Sequence, residues 1–201
     1  MKHIIYFSSS ASTSGKALSG DLMKAGRIDI AIHSIIASLF VSHSIRKDVK
    51  IHLIFYGPPE SPKHIEISFD SGLDISKKDV AGLLKRVLYK SSNMKSEDEK
   101  KQVFPGVFVE KKSFLNVISD LQEQGIDIFI LDKKGKDIRN LEFSQDNEVG
   151  FVIGDQDGLP EKEVKRLVKS GNVKEISLGP KMYFASQSII ILLNEMDRRE
   201  V

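Results

Sequence analysis

The apolar positions of this 201-residue chain follow two rhythms. Short runs or alternations of β-branched and aromatic residues predict strands at His3–Phe7 (HIIYF), Val49–Tyr56 (VKIHLIFY) and His64–Phe69. The second of these stops at Gly57-Pro58-Pro59, and the third puts Ile65, Ile67 and Phe69 on one side. Spacings of three and four among Ile28, Ile32, Ile35, Ile36, Leu39 and Phe40 predict an amphipathic helix over Arg27–Val41. A second helix is predicted from about Lys77 to Tyr89, where Ser76 and Asp79 have capping-box spacing with Asp in place of the usual Glu. Ser8–Ser14, five serines and a threonine, reads as a mobile loop, and the charge-dense Ser91–Gln102 as an exposed loop or frayed helix end.

Beyond Pro105-Gly106 strands and helices alternate. Val107–Val109, Ile126–Leu131, Phe151–Ile153 and Val173–Leu178 have strand character, and Phe114–Leu121, Pro160–Val168 and Phe184–Glu195 helical character. Such alternation predicts an α/β fold with a largely parallel sheet and helices on both faces. Without an internal repeat or a long linker, residues 1–201 read as a single domain.

Composition narrows the chemistry more than the fold. The absence of cysteine excludes a disulfide scaffold, a thiolate metal site and a cysteine nucleophile. Lys+Arg 30 against Asp+Glu 28 leaves a net charge of +2, which neither requires nor forbids a nucleic-acid partner. The longest apolar stretches, residues 28–41 and 188–193, are shorter than the ~20 residues of a membrane span, and no signal peptide is apparent. The expectation is a cytoplasmic protein with no membrane partner. His3, His33, His43, His52 and His64 form no HExxH pair, and no metal is expected. Ser10–Lys16 superficially resembles a phosphate-binding loop, but Ser10 stands where that motif needs glycine and Ala17 where it needs Ser or Thr.

Two regions carry candidate chemistry. Gly26-Arg27-Ile28-Asp29 opens the first helix and Ser42–Asp48 closes it. Asp29 at the start and Arg46 and Lys47 at the end suit the helix dipole; alternatively, Arg27 and Arg46 bind phosphates while Asp29 orients one of them. Spacing alone does not choose. In the final third, Ile153–Pro160 and Ile176–Tyr183 each lead from a strand through a glycine turn into a helix, and Leu131–Gly135 supplies a third strand end. Ligands of α/β sheets bind at such ends, so the three loops are either ordinary turns or one backbone-lined pocket.

The ordered set Gly26–Asp29, Ser42–Val49, Ile153-Gly154-Asp155 and Ile176–Pro180 running on to Ala185-Ser186-Gln187 resembles the SPOUT (α/β trefoil-knot) methyltransferases. Within them it is most similar to the tRNA (pseudouridine-54-N1)-methyltransferases and their bacterial relatives, with Leu131–Lys136 and Ile138-Arg139 nearest the bacterial branch. The similarity runs from about residue 3 to residue 197.

That resemblance implies a knotted fold, with S-adenosyl-L-methionine held bent in the C-terminal part (about 126–197), a homodimer, and tRNA or another structured RNA as partner. Carried over by position, the cofactor residues are Leu131, Gly154, Leu178, Gly179, Pro180, Lys181, Met182, Tyr183 and Ser188. The implied reaction is methylation of N1 of pseudouridine in the tRNA T-loop. Asp29 and Asp155 are the candidate bases and Arg27 and Arg46 the phosphate clamps, with Lys47, Lys133, Lys134, Lys136 and Arg139 extending a basic track. Three positions depart from the family pattern: Ser188 stands in place of a usual cysteine, Gln156 of an archaeal histidine and His33 of an archaeal arginine.

Overall fold

The computed structural model describes residues 1–69, 75–92, 94, 99–143 and 147–199. Its strands and helices run β1 (Lys2–Ser8), α1 (Ile28–Leu39), β2 (Phe40–Val41), β3 (Ser44–Ile45), β4 (Val49–Phe55), β5 (Lys63–Ser68), α2 (Val80–Lys90), β6 (Lys101–Phe104), β7 (Val107–Glu110), α3 (Phe114–Glu123), β8 (Asp127–Asp137), β9 (Val149–Gly154), α4 (Glu161–Lys169), β10 (Val173–Ser177) and α5 (Ala185–Arg198). Eight strands form one sheet in the order β10-β8-β9-β1-β4-β5-β7-β6. The first five are mutually parallel and the last three antiparallel.

Helices cover both faces, as the alternation predicted. Ile4, Tyr6 and Ile51 point to one side, where Ile28 and Ile35 of α1, Leu84 of α2 and Ile189 and Leu192 of α5 close a large core. Ile5, Phe7 and Val152 point to the other, against Phe114, Ile118 and Leu121 of α3 and the half-buried Val164 and Leu167 of α4. Because parallel β1 and β9 are covered on both faces, their sequences read as continuous apolar runs.

Four readings need correction. The helix predicted over Arg27–Val41 ends at Leu39, and Phe40–Ile45 makes the small β2–β3 hairpin, with His43 at its turn in the left-handed region. Lys101–Phe104 is an edge strand; its polar, exposed residues hide the strand period. The rest of the Ser91–Gln102 reading falls partly on residues 93 and 95–98, outside the described residues. Ser76 and Asp79 form no reciprocal box: Ser76 Oγ donates to the Asp79 carboxylate at 2.5 Å, and α2 begins one residue later.

Ser8–Ser14 is a packed loop, not a mobile one. Ser12 Oγ donates to the Pro58 carbonyl, Thr13 Oγ1 to the Gly57 carbonyl, and the buried Lys63 ammonium to Glu60 and to Ser91. A Cβ at Gly26 or Gly57 would sit 1.8 or 2.3 Å from the Ser10 carbonyl oxygen, so both glycines are needed for the chain to approach. These partners lie 16 to 50 residues away in sequence, beyond the reach of a local pattern.

At β8 the ladder with β10 is interrupted. Ile128–Ile130 pair with Val173–Glu175, pairing resumes at Lys136 with Ile176, and Leu131–Gly135 leaves the ladder between them. A Cβ on Gly135 would lie 2.5 Å from the Ile176 nitrogen, so glycine lets this excursion lie directly on the β10 backbone.

Candidate active site

The carboxyl ends of β8, β9 and β10 and the start of α1 enclose a cleft of about 850 Å³, the size that takes a cofactor-sized ligand. Its floor is apolar, made by Ile130, Ile153 and Ile176 where the three strands end. Sequence reasoning opened two of its candidate loops at Ile153 and Ile176 but read Ile130 only as part of a strand. Of the nine cofactor candidates, Leu131, Gly154, Leu178, Gly179, Lys181, Met182, Tyr183 and Ser188 line the cleft, while Pro180 is exposed and is not part of its lining.

The loops take their form from local chemistry. Gly154 ends β9 where a Cβ would lie 2.5 Å from the Gly158 carbonyl carbon, and Gly158 turns the chain at φ +79°. Gly179, at φ +113°, donates its N–H to Ser177 Oγ at 3.2 Å. The Gln187 side chain accepts the Phe184 N–H at 3.1 Å and so starts α5, in whose first turn Ser188 is buried against the cleft.

Arg27, Asp29 and Asp155 come together at the cleft wall. Arg27 adopts φ +60° just before α1, and its Nε and Nη2 donate to the two Asp29 oxygens at 3.1 and 3.0 Å. This fork holds the Asp29 carboxyl below its ordinary value, against partial burial. Asp155 differs. Its Oδ1 accepts the Asp157 N–H at 2.8 Å, whereas Oδ2 is buried without a hydrogen-bond partner. Burial pushes the Asp155 carboxyl up, and the nearby Ser8 hydroxyl, the Asp157 N–H and Arg27 offset this only in part. Asp155 is thus the better proton acceptor of the two.

Beneath it lies a second orphan, the fully buried Tyr6 hydroxyl, also without a hydrogen-bond partner. Tyr6 pairs with Ile153 in the β1–β9 register, which puts its side chain on the sheet face that Asp155 shares two residues later. Burial first, then the charges of Asp155 and Asp29, push the phenol proton to far higher affinity.

Arg46 is not brought to this cluster. It lies past the far end of α1, a 12-residue helix and so ~18 Å long, where its guanidinium forks onto Asp197 in the last turn of α5. His33 and Gln156, two of the family-departure positions, do line the cleft, as do Lys133 and Lys134. Among the described residues no three His, Cys, Asp or Glu side chains are placed to hold a metal ion, and no helix is long and apolar enough to cross a membrane.

Backbone groups of the three loops, an apolar floor and the carboxylates of Asp29 and Asp155 border one cleft. These features define a cofactor-binding α/β protein whose site lies at the strand ends. Nep1 of Archaeoglobus fulgidus, solved with S-adenosylhomocysteine bound, shares the fold: TM-score 0.65 at 16% identity, covering 99% of this chain and 98% of that one. The chain therefore has the fold of that protein.

Over residues 1–201 the chain matches the family described as "Putative SAM-dependent RNA methyltransferase", and it belongs to that family. It is 34% identical over 98% of its length to a Methanococcoides burtonii protein named tRNA (pseudouridine(54)-N(1))-methyltransferase, covering 96% of that protein. A Methanocaldococcus jannaschii protein of the same name is 29% identical, with 100% of this chain and 98% of that one covered.

Proposed function

We propose that this chain methylates N1 of pseudouridine in the T-loop of tRNA, with S-adenosylmethionine as methyl donor. The observation that carries the reading is one cleft that joins backbone-lined loops to a half-buried carboxylate of raised proton affinity, in a chain 34% identical to a protein of that named activity.

When bound, the cofactor supplies a methyl group activated by its positive sulfur. Leu131, Gly154, Leu178 and Tyr183 offer backbone groups to the adenosine part, and Ser188 has a hydroxyl where relatives use a thiol. With the methyl group supplied by the cofactor, Asp155 would accept the N1 proton that the base gives up, and the protonated carboxyl would then release it to solvent. Alignment of nitrogen, carbon and sulfur supplies the larger part of the acceleration, up to roughly 7–11 kcal/mol. Arg27, fixed by Asp29, faces the RNA phosphates together with Lys133 and Lys134.

The enzyme acts as a homodimer in the cytoplasm, with residues 1–201 as one domain. Met182 and Phe184, 82% and 78% exposed, and Ile190 of α5, 57% exposed, are apolar and suit coverage by a second copy. The Leu131–Gly135 excursion lying on β10 supports a threaded, knotted C-terminal part.

The experiment is methyl transfer from labelled S-adenosylmethionine to two tRNA transcripts, with pseudouridine or uridine in the T-loop, the product being located by mass spectrometry. Label at N1 of the pseudouridine transcript alone is expected. No label in either transcript, with cofactor binding intact by calorimetry, would retire the tRNA assignment in favour of another RNA or of a knotted RNA-binding protein without transfer activity.

A further inference from the structure

On the sheet face under α3, running diagonally from the start of β1, three of the five histidines form a continuous chain. Glu148 Oε2 lies 2.9 Å from His3 Nε2, His3 Nδ1 lies 3.0 Å from His52 Nε2, His52 Nδ1 lies 2.9 Å from His64 Nε2, and His64 Nδ1 lies 2.7 Å from Glu110 Oε1. The three histidines are 2 to 4% exposed. Neighbouring rings are within 16° and 15° of parallel, with centroids 5.2 and 5.1 Å apart. That is the spacing of rings joined edge to edge through one N–H···N bond. The chain crosses β1, β4, β5 and β7 under α3, and no residue of it lines the cleft.

Counting protons decides its charge. Four hydrogen bonds need four protons, one in each. Three neutral imidazoles carry three, and an ionised carboxylate carries none. With only three protons, one contact of 3.0 Å or less would set two lone pairs against each other, a burial cost that folded proteins avoid. We propose that Glu148, His3, His52, His64 and Glu110 together bind one proton in excess of three neutral histidines and two carboxylates, making a shared buried imidazolium.

Where the charge rests follows from the surroundings. Burial disfavours a cation most at His52, the middle ring, with the neighbouring histidines and Lys50 and Lys100 acting in the same direction. Burial would raise the Glu110 carboxyl, but the His64 hydrogen bond and charge and Lys112 outweigh it and hold the carboxyl at about 2, so the proton stays on imidazole. Burial also opposes a cation at His3, where the Glu148 hydrogen bond and charge offset it in part; the geometry places the charge at an end of the chain, beside a glutamate, and two N-to-N shifts carry it to the other end. The other charges facing the chain are Glu66, which pairs with Lys50 and Lys100, Asp120 on α3, which pairs with Lys112, and the Met1 amine, 3.7 Å from Glu148. They carry two positive charges in excess, which only offset Glu148 and Glu110, so the surrounding field does not draw the extra proton in and the N···N geometry holds it.

The sign of the pH effect is fixed. Above the ordinary histidine value near 6.5 the unfolded chain keeps none of these protons in excess, while the folded chain keeps one. Stability then falls as pH rises, with a slope of one proton, until the chain releases it. Towards acid the unfolded state takes up three protons against one, and stability falls again. The apparent values belong to the chain as a whole.

Glutamine at either end removes the need for the extra proton, because its amide N–H supplies the fourth hydrogen. Imidazole nitrogens of the full-length protein are counted by 15N NMR at pH 7.5, with the exposed His33 and His43 assigned by substitution. Four protonated nitrogens among the six of His3, His52 and His64 are expected in the native chain, and three in Glu110→Gln. The stability slope between pH 7.5 and 9, from urea titrations, should drop by one proton in that variant. Glu148→Gln, at the half-exposed end, makes the same count if Glu110→Gln does not fold. Three protonated nitrogens in the native chain, or four persisting in a foldable glutamine variant, overturn the proposal.

Discussion

The two faces of the sheet treat buried polar groups in opposite ways. On the α3 face every ring nitrogen of His3, His52 and His64 has a partner, and the carboxylates at either end of that chain are themselves ion-paired. On the α1 face, where β1 and β9 end, the Tyr6 hydroxyl and Asp155 Oδ2 are buried without partners, and Arg27 is held in the left-handed region. Satisfied networks fix a structure, whereas orphaned atoms and backbone strain persist where a ligand or a reaction uses them. Polarity alone does not separate a site from a scaffold; what separates them is whether the polarity is already spent.

The comparison can be broken from either face. Asp155→Asn keeps the shape and removes the proton acceptor, so single-turnover methyl transfer should fall about 10²–10⁴-fold while cofactor affinity by calorimetry holds. The same variant should melt higher at neutral pH. A carboxyl raised on folding helps stability only below its unfolded value, and its ionised form is a cost above that, which asparagine escapes. For the same reason the transfer rate should drop towards acid with a midpoint above the ordinary aspartate value.

His52→Leu acts on the other face. It strands His3 Nδ1 and His64 Nε2, costing about 2–5 kcal/mol by urea denaturation, while transfer by the remaining folded protein stays near that of the native chain. Equal loss of activity per folded molecule would show the two faces to be coupled.

Tyr6→Phe removes a buried hydroxyl that has no partner. It should stabilise the fold by about 1 kcal/mol in thermal melts. A loss of stability instead would reveal an ordered water or ligand group on that oxygen. The smallest effect is expected from Arg27→Gly, which relieves a left-handed backbone and removes one cation from the cleft wall. Its midpoint should rise slightly, and the log–log salt slope of tRNA binding should shrink by about one.

Much of this was legible in the chain. Runs such as HIIYF and VKIHLIFY gave β1 and β4 to within a residue or two, and the three glycine-bearing strand ends, read as a possible pocket, do enclose one cleft. Misreadings occurred where partners are distant. Lys101–Phe104 lacks an apolar period because it lies at the sheet edge, and Ser8–Ser14 is ordered by contacts to Gly26, Gly57 and Lys63. Arg46 shares a helix neighbourhood with Asp29 in sequence, yet a straight helix carries it to the other end.

The sequence by itself determined the α/β class, the strand-end location of the cleft and the family, because periodicity and glycine placement are local and the motifs lie in a set order. Tertiary structure alone decided that Arg27 rather than Arg46 meets Asp29, that Asp155 keeps a raised proton affinity, and that three scattered histidines become one hydrogen-bonded chain. Register across strands and burial set those outcomes, and both arise only when segments up to 145 residues apart are packed side by side.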